Sequence, residues 1–243
     1  MEHPLPLPEP RATPYPGRVL VLAPHPDDES IGCGGAIALH VAQGDPVSIA
    51  IATDGALGDP EGRFPRGDYR ERRRQEARAA AADLGAPEPA FWDLPDGGLR
   101  HLLGPGGGTG DLHALVRAAI ERTSAEIVYA PPRLDTHPDH HALGRAVEEV
   151  LASWGPGRPR AFAYDVWVPV HATLVLDVSA AWARKEKAIG RYESQLAYVD
   201  YLRVVRGLGA ARTIYLPGAA WVEAFAEIRR GPRNASDHGE TRL

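Results

Sequence analysis

The chain has 243 residues, 44% of them hydrophobic, and a formal net charge of −5 at pH 7. That size and apolar content suit one α/β domain with a core that needs no staples; the single cysteine, Cys33, excludes an internal disulfide framework, and the dispersed basic residues exclude a general nucleic-acid binder. No apolar run approaches the roughly 20 residues of a membrane span, and the first ten residues lack the basic start and apolar stretch of a secretory signal, so a cytoplasmic location is expected.

In chain order, the N-terminus reads as an extended, proline-rich arm. Apolar runs predict strands at 18–23 and 46–52 joined by a helix over 31–43, a βαβ unit that implies a parallel sheet. Residues 53–67 form a glycine- and charge-rich loop of a length that is usually functional or mobile. An alanine- and arginine-rich helix over 69–84 stops at Gly85, and its arginines alternate with glutamate and alanine as a solvated face does. A short strand at 90–94 leads into an Asp96-Gly97-Gly98 turn, and the glycine-rich stretch 104–110 into a helix over 111–123 with Asp111 as its N-cap. A fourth strand at 126–130 and a helix over 142–154 follow.

Beyond Gly155 the pattern changes to strands at 161–168 and 172–177, helices over 180–192 and 196–205, and a last strand at 221–228. The polar tail from Arg230 is expected to be disordered. The architecture expected is a Rossmann-like, mostly parallel sheet flanked by helices within a single domain over 1–229. Its core covers about 17–155, and a smaller C-terminal strand/helix extension over 156–229 faces the substrate. Homo-oligomer contacts through the proline-rich arm or the C-terminal hairpins are left open.

Chemistry concentrates at two predicted strand ends. Residues 24–29 read Pro-His-Pro-Asp-Asp-Glu, placing one imidazole and three carboxylates within five positions, a crowding that is unfavourable unless a cation or solvent offsets it. The second cluster, residues 131–141, ends in His-Pro-Asp-His-His. In a parallel sheet both strand ends face one crevice. Pooled, His25, Asp27, Asp28, Glu29, Asp135, His137, Asp139, His140 and His141 are enough for a mixed His/carboxylate site with positions left for water. That set suits catalytic Zn2+ and also Fe2+, and a metal that acidifies water makes a hydrolase the natural inference.

Either cluster alone also reads as an ordinary helix start, with Pro26 or Pro138 at the first helical position and the acids favouring the helix dipole; the coincidence of two at strand ends favours a site. Gly32, Gly34 and Gly35 do not make the dinucleotide pattern. Spacing lets His137 and His140 face the crevice together and leaves His141 as an alternative to His140. Cys33 reads as a small apolar packing residue, and His40, His101, His113 and His171 as ordinary helix or loop histidines.

Pro-His-Pro-Asp-Asp-Glu at 24–29 and His-Pro-Asp-His at 137–140 resemble the two signatures of the PIG-L or LmbE-like zinc deacetylases. Gly-Cys-Gly-Gly at 32–35, Arg73 with Glu76 ahead of Ala-Ala-Asp-Leu-Gly, Leu-Pro-Asp-Gly-Gly-Leu at 94–99, and Lys185 through Ser194-Gln195 are similar to further family blocks. The resemblance implies hydrolysis of the N-acetyl group of an N-acetylglucosamine-type amino sugar or conjugate, a small molecule, with release of acetate. It implies that His25, Asp28 and His140 hold Zn2+ and that Asp27 acts as general base. His137 would stabilise the oxyanion or protonate the leaving amine, and Asp139 would orient His137 through a hydrogen bond.

The resemblance also makes Arg73 and Asp96 sugar-binding residues; by themselves they read as a surface helix charge and a turn residue. Glu29 supports its loop. Tyr192, Ser194 and Gln195 would line the site from the C-terminal part, with a tyrosine at 192 where the family carries a histidine. Two other readings stand beside this one: an amidase acting on a thiol conjugate of an amino sugar, and a non-catalytic metal-binding module, whose mark would be a damaged base or a missing ligand.

Overall fold

A computed structural model of the chain describes residues 6–65, 67, 69–103 and 111–228. In chain order the strands and α-helices are β1 (Glu9–Arg11), β2 (Val19–Ala23), α1 (Asp28–Gln43), β3 (Val47–Thr53), α2 (Tyr69–Leu84), β4 (Ala90–Leu94), α3 (Leu112–Thr123), β5 (Ile127–Ala130), α4 (Pro138–Ala152), β6 (Arg160–Tyr164), β7 (Leu174–Asp177), α5 (Trp182–Ile189), α6 (Glu193–Leu196), α7 (Tyr201–Arg212) and β8 (Val222–Glu227). They build an eight-stranded sheet in the order β1-β7-β8-β6-β5-β2-β3-β4. Every pairing is parallel except those of β8, which runs antiparallel between β6 and β7. The C-terminal strands therefore extend the same sheet.

Side-chain alternation along β2 shows how the layers form. Val19, Val21 and Ala23 enter one core beneath α1, α2 and α5, while Leu20 and Leu22 enter the other with residues of α3 and α4. A strand buried on both faces reads as the continuous apolar run seen at 18–23.

Several boundaries move from those expected, each for a local reason. The helices expected at 31–43 and 142–154 begin at Asp28 and Pro138, because their polar first turns carry the histidine and carboxylate clusters and lack the apolar period that marks a helix. The strand expected to run to 168 ends at Tyr164; Asp165 turns back to accept from the Val170 N–H at 2.5 Å and pairs with Arg212 at 3.0 Å. The helix expected over 196–205 is instead Tyr201–Arg212, started by the Asp200 side chain accepting from the Arg203 N–H at 3.0 Å. The proline-rich arm contributes β1, which adds to β7. Asp111 caps α3 as expected, accepting from the His113 N–H at 2.9 Å. The glycine-rich stretch 104–110 and the tail from 230 lie outside the described residues. No helix among the described residues is long and apolar enough to cross a membrane.

Candidate metal centre and active site

β2 and β5 are parallel neighbours in the interior of the sheet. The chain leaves β2 towards β3 on one side and β5 towards β6 on the other, so their carboxyl ends flank a topological switch point, where open α/β sheets form a crevice. The two clusters meet there. His25 Nδ1, Asp28 Oδ2 and His140 Nε2 form a triangle with sides of 3.0, 3.1 and 3.3 Å. Donors about 2.0–2.2 Å from a tetrahedral ion stand roughly 3.3 Å apart, so the residues present fit a divalent metal with a position left for water.

Electrostatics point the same way. Burial alone would lower the His25 imidazole, but hydrogen bonds to Asp139, Asp28 and Asp96 outweigh it and raise it well above its ordinary value. Burial likewise opposes charge on His140, and the Asp28 carboxylate overrides it and pushes His140 up to about 9. Asp28 itself is held well below the usual carboxylate range, because the two imidazoles outweigh its burial. Two histidines holding protons around one buried carboxylate is a cluster whose protons a dication would displace.

Outer carboxylates set the rings. Asp135 Oδ2 stands 3.3 Å from His140 Nδ1, and its Oδ1 accepts from the His137 N–H at 2.8 Å. His25 Nε2 meets Asp96 Oδ1 at 3.2 Å and Asp139 Oδ2 at 3.3 Å. Asp139 is fully buried and also accepts from the Gly97 and Leu99 N–H groups at 2.7 and 3.0 Å. Such partners fix tautomer and orientation of metal-ligating imidazoles. The carboxylate of Asp139 thus reaches His25, where the expectation was His137. It is the Asp139 backbone N–H that meets His137, donating to Nδ1 at 3.2 Å.

That bond makes His137 the N-cap of α4, and with Nδ1 accepting, a neutral ring carries its proton on Nε2. Burial and the neighbouring His25 and His140 hold His137 below its ordinary pKa. His141 turns away and its Nδ1 contacts the Arg133 carbonyl at 2.6 Å, so geometry separates it from His140 where spacing did not.

Asp27 precedes α1 with φ 140° and ψ −31° and makes no side-chain cap bond, a backbone state that is costly for a residue with a Cβ. Its N–H donates to Glu29 Oε2 at 3.2 Å, and its carbonyl accepts from Ser30 and Ile31 at 3.0 and 2.9 Å. The conformation turns the carboxylate towards Arg73, whose Nη2 lies 3.4 Å from Oδ2 and also bonds the Pro26 carbonyl. Burial pushes the Asp27 carboxyl up to about 7, against the pull of Arg73.

Arg73 is 2% exposed, not the surface charge its helix suggested, and its Nε and Nη1 have no hydrogen-bond partner among the described residues. A cavity of about 270 Å³ is lined by His25, Asp27, Asp28, Arg73, Asp96 and His137, with Trp167, Leu57, Gln195 and Tyr201 contributing further walls. Of the C-terminal trio expected there, Gln195 lines the cavity, whereas Tyr192 and Ser194 are buried behind it on Glu29 and Glu76. Trp167, Leu57 and the orienting part of Asp135 were missed by sequence reasoning; Asp135 was visible within its cluster, while the other two lie in irregular segments with no motif.

Residues 20–151, more than half the chain, match the family described as PIG-L, GlcNAc-PI de-N-acetylase. A probable N-acetyl-alpha-D-glucosaminyl L-malate deacetylase 2 of Bacillus cereus is 28% identical over 191 residues, covering 73% of this chain and 83% of the relative. A 4-oxalmesaconate hydratase of Pseudomonas putida is 26% identical over 225 residues, covering 82% and 83%. The crystal structure of a conserved protein from Thermus thermophilus superposes with a TM-score of 0.72 at 27% identity, covering 88% of this chain and 96% of that one. With both signatures assembled around one crevice, the chain belongs to the PIG-L family.

Proposed function

We propose that this protein is a zinc-dependent N-deacetylase of an N-acetylglucosamine-type amino sugar or conjugate. The observation that carries the reading is the triangle of His25, Asp28 and His140 donors with Asp27 in the same cavity but engaged with Arg73 rather than with the three donors. The family match and the Bacillus cereus relative supply the substrate class. Held by those donors, zinc would acidify a bound water and polarise the acetyl carbonyl.

The chain's own residues divide the remaining work. Asp27, a carboxylate free of ligand duty, takes the proton of the attacking water as general base. The water oxygen ends in acetate, the carbon–nitrogen bond breaks, and the proton passes to the departing nitrogen, which leaves as the free amine. His137 carries an Nε2–H with Nδ1 tied to the helix, so it serves as hydrogen-bond donor to the oxygen that gains charge, and the proton delivered to the nitrogen is the one Asp27 took. The unpartnered N–H groups of Arg73 suit sugar hydroxyls. Both Asp96 oxygens already accept, from His25 and from the Leu57 N–H at 2.9 Å, so Asp96 orients His25 first and offers the sugar its spare lone pairs.

The test is an assay of free amine and acetate from a panel of N-acetylglucosamine conjugates, with metal stripped by a chelator and restored as Zn2+ or Fe2+. Amine release lost on stripping and regained with Zn2+ supports the reading; a preference for Fe2+ corrects the metal. Release of a larger acid in place of acetate identifies the amidase on a thiol conjugate. The similarity to a hydratase favours one second reading, addition of water to an unsaturated acid, and loss of conjugated absorbance without any amine would establish it in place of deacetylation.

A further inference from the structure

α1 is two helices joined at a break. Cys33 leaves the helical region, with φ −142° and ψ 25°, separating residues 28–32 from 34–43. A break of this kind orphans the last carbonyls of the first piece and the first N–H groups of the second. Two buried charges from the far end of the chain take them. Lys185 Nζ of α5 donates to the Ile31 carbonyl at 2.8 Å. The Glu223 carboxylate of β8 accepts from the Gly35 N–H at 2.7 Å through one oxygen and from the Ala36 N–H at 2.8 Å through the other.

The two charges also bond each other, Nζ to Oε1 at 2.6 Å. Their signs suit both helix ends, cation on the carbonyls of the first piece and anion on the N–H groups of the second. Glycine lets the parts close: a Cβ on Gly35 would stand 2.7 Å from Val178 Cβ and 2.9 Å from Glu223 Oε1, and one on Gly32 would stand 2.2 Å from the Tyr164 ring.

Lys185 and Glu223 are 3% and 4% exposed, and neither lines the catalytic cavity. Burying an ion pair is seldom the cheapest way to close a core. What this pair adds is direction, because its bonds fix the angle between the two pieces of α1. The first piece begins with Asp28 and follows directly on Asp27, and it is one short turn from the staple. We propose that Lys185 and Glu223 are positioning residues for the metal site, setting the break in α1 and through it the placement of Asp28 Oδ2 between the His25 and His140 donors. The proposal rests on the reading of His25, Asp28 and His140 as metal ligands.

The test compares zinc affinity, measured by competition with a chromophoric chelator, with the thermal unfolding of the metal-free protein. The variants are Lys185→Met/Glu223→Gln, which removes both charges together and strands neither, and Ile120→Ala, a truncation on α3 in the core on the other face of the sheet. The double variant is expected to fold and to bind zinc about tenfold or more weakly, the scale on which ligand-orienting groups act. Ile120→Ala is expected to melt earlier while binding zinc as the wild type does. Wild-type affinity in a folded double variant, or an equal loss in Ile120→Ala, overturns the proposal. Should the double variant not fold, Glu223→Asp keeps the charge but withdraws it by one methylene; reduced affinity there supports the staple and unchanged affinity overturns it. Wild-type protein that takes up no zinc overturns the metal assignment, and this proposal with it.

Discussion

The Asp135 carboxylate holds His140 from behind, Oδ2 to Nδ1 at 3.3 Å, while its other oxygen accepts from the backbone of His137. One side chain thereby sets the ring of a proposed ligand and the residue that caps α4. Replacing it by asparagine keeps the shape but removes the charge that favours a proton on Nδ1 and so the lone pair of Nε2 facing the metal. Asp135→Asn is expected to weaken zinc binding by about 10–100-fold with the fold intact, as read by chelator competition and circular dichroism. Undiminished zinc affinity would show that Asp135 serves the turn alone.

Neighbouring carboxylates should part company in a second experiment. Asp28 contributes an oxygen to the donor triangle, and Asp27 faces Arg73. Asp27→Asn is therefore expected to lower kcat by about 10²–10⁴-fold, the range for removal of a general base, while metal content stays at the wild-type value. Asp28→Asn is expected to lose the metal itself. Elemental analysis of purified protein alongside initial rates separates the two outcomes, and metal loss in Asp27→Asn would move that residue into the ligand set.

Much of this site was legible before any geometry. The apolar run ending in His25 and the one ending ahead of His137 marked two strand ends, and a parallel sheet brings such ends to one crevice. Periodicity could not choose between His140 and His141, because both sit in the first turn of α4; the choice lies in the direction of each side chain, and His141 is claimed by the Arg133 carbonyl. Arg73 was misleading for a related reason. An arginine-rich helix reads as a solvated face, yet Arg73 is buried at the crevice because Pro26 and Asp27, distant in sequence, supply its partners. The C-terminal boundaries blurred where tertiary bonds override local pattern, as with Asp165 and Arg212 after β6. The kink at Cys33 carried no signal beyond Gly-Cys-Gly-Gly, since its capping carboxylate lies 188 residues from Gly35.

Trp167 is 58% exposed, lines the cavity, and sits with its ring centroid 5.5 Å from that of His137 at 57°. A large aromatic left open beside the imidazole proposed to hold the developing oxyanion has a free face for the apolar side of a sugar ring. Covering about 50 Å² of apolar ring surface at about 25 cal/mol per Å² contributes on the order of 1 kcal/mol, so Trp167→Ala is expected to raise KM up to roughly tenfold with kcat and metal content little changed. Trp167→Phe should recover most of the loss. A fall in kcat at constant KM would instead place Trp167 among the groups that hold His137.

Tyr192 stands at the position where the resemblance implies a histidine, and its surroundings say what the hydroxyl does. It is 1% exposed, keeps its proton because burial raises its pKa well above the ordinary value, and donates to Glu29 Oε1. Ser30 Oγ donates to the same oxygen at 2.5 Å, and the Asp27 N–H to the other at 3.2 Å. Glu29 is thus a buried carboxylate whose donors hold the strained backbone of the proposed base. Tyr192→Phe removes one donor and leaves that carboxylate short of a partner, a loss of about 1–3 kcal/mol that should lower the melting temperature. With Asp27 less firmly held, kcat should fall by about tenfold, since small misplacements of a catalytic group are costly, while KM stays at its wild-type value because the hydroxyl does not line the cavity. A raised KM with unchanged kcat would mean that Tyr192 meets the substrate directly.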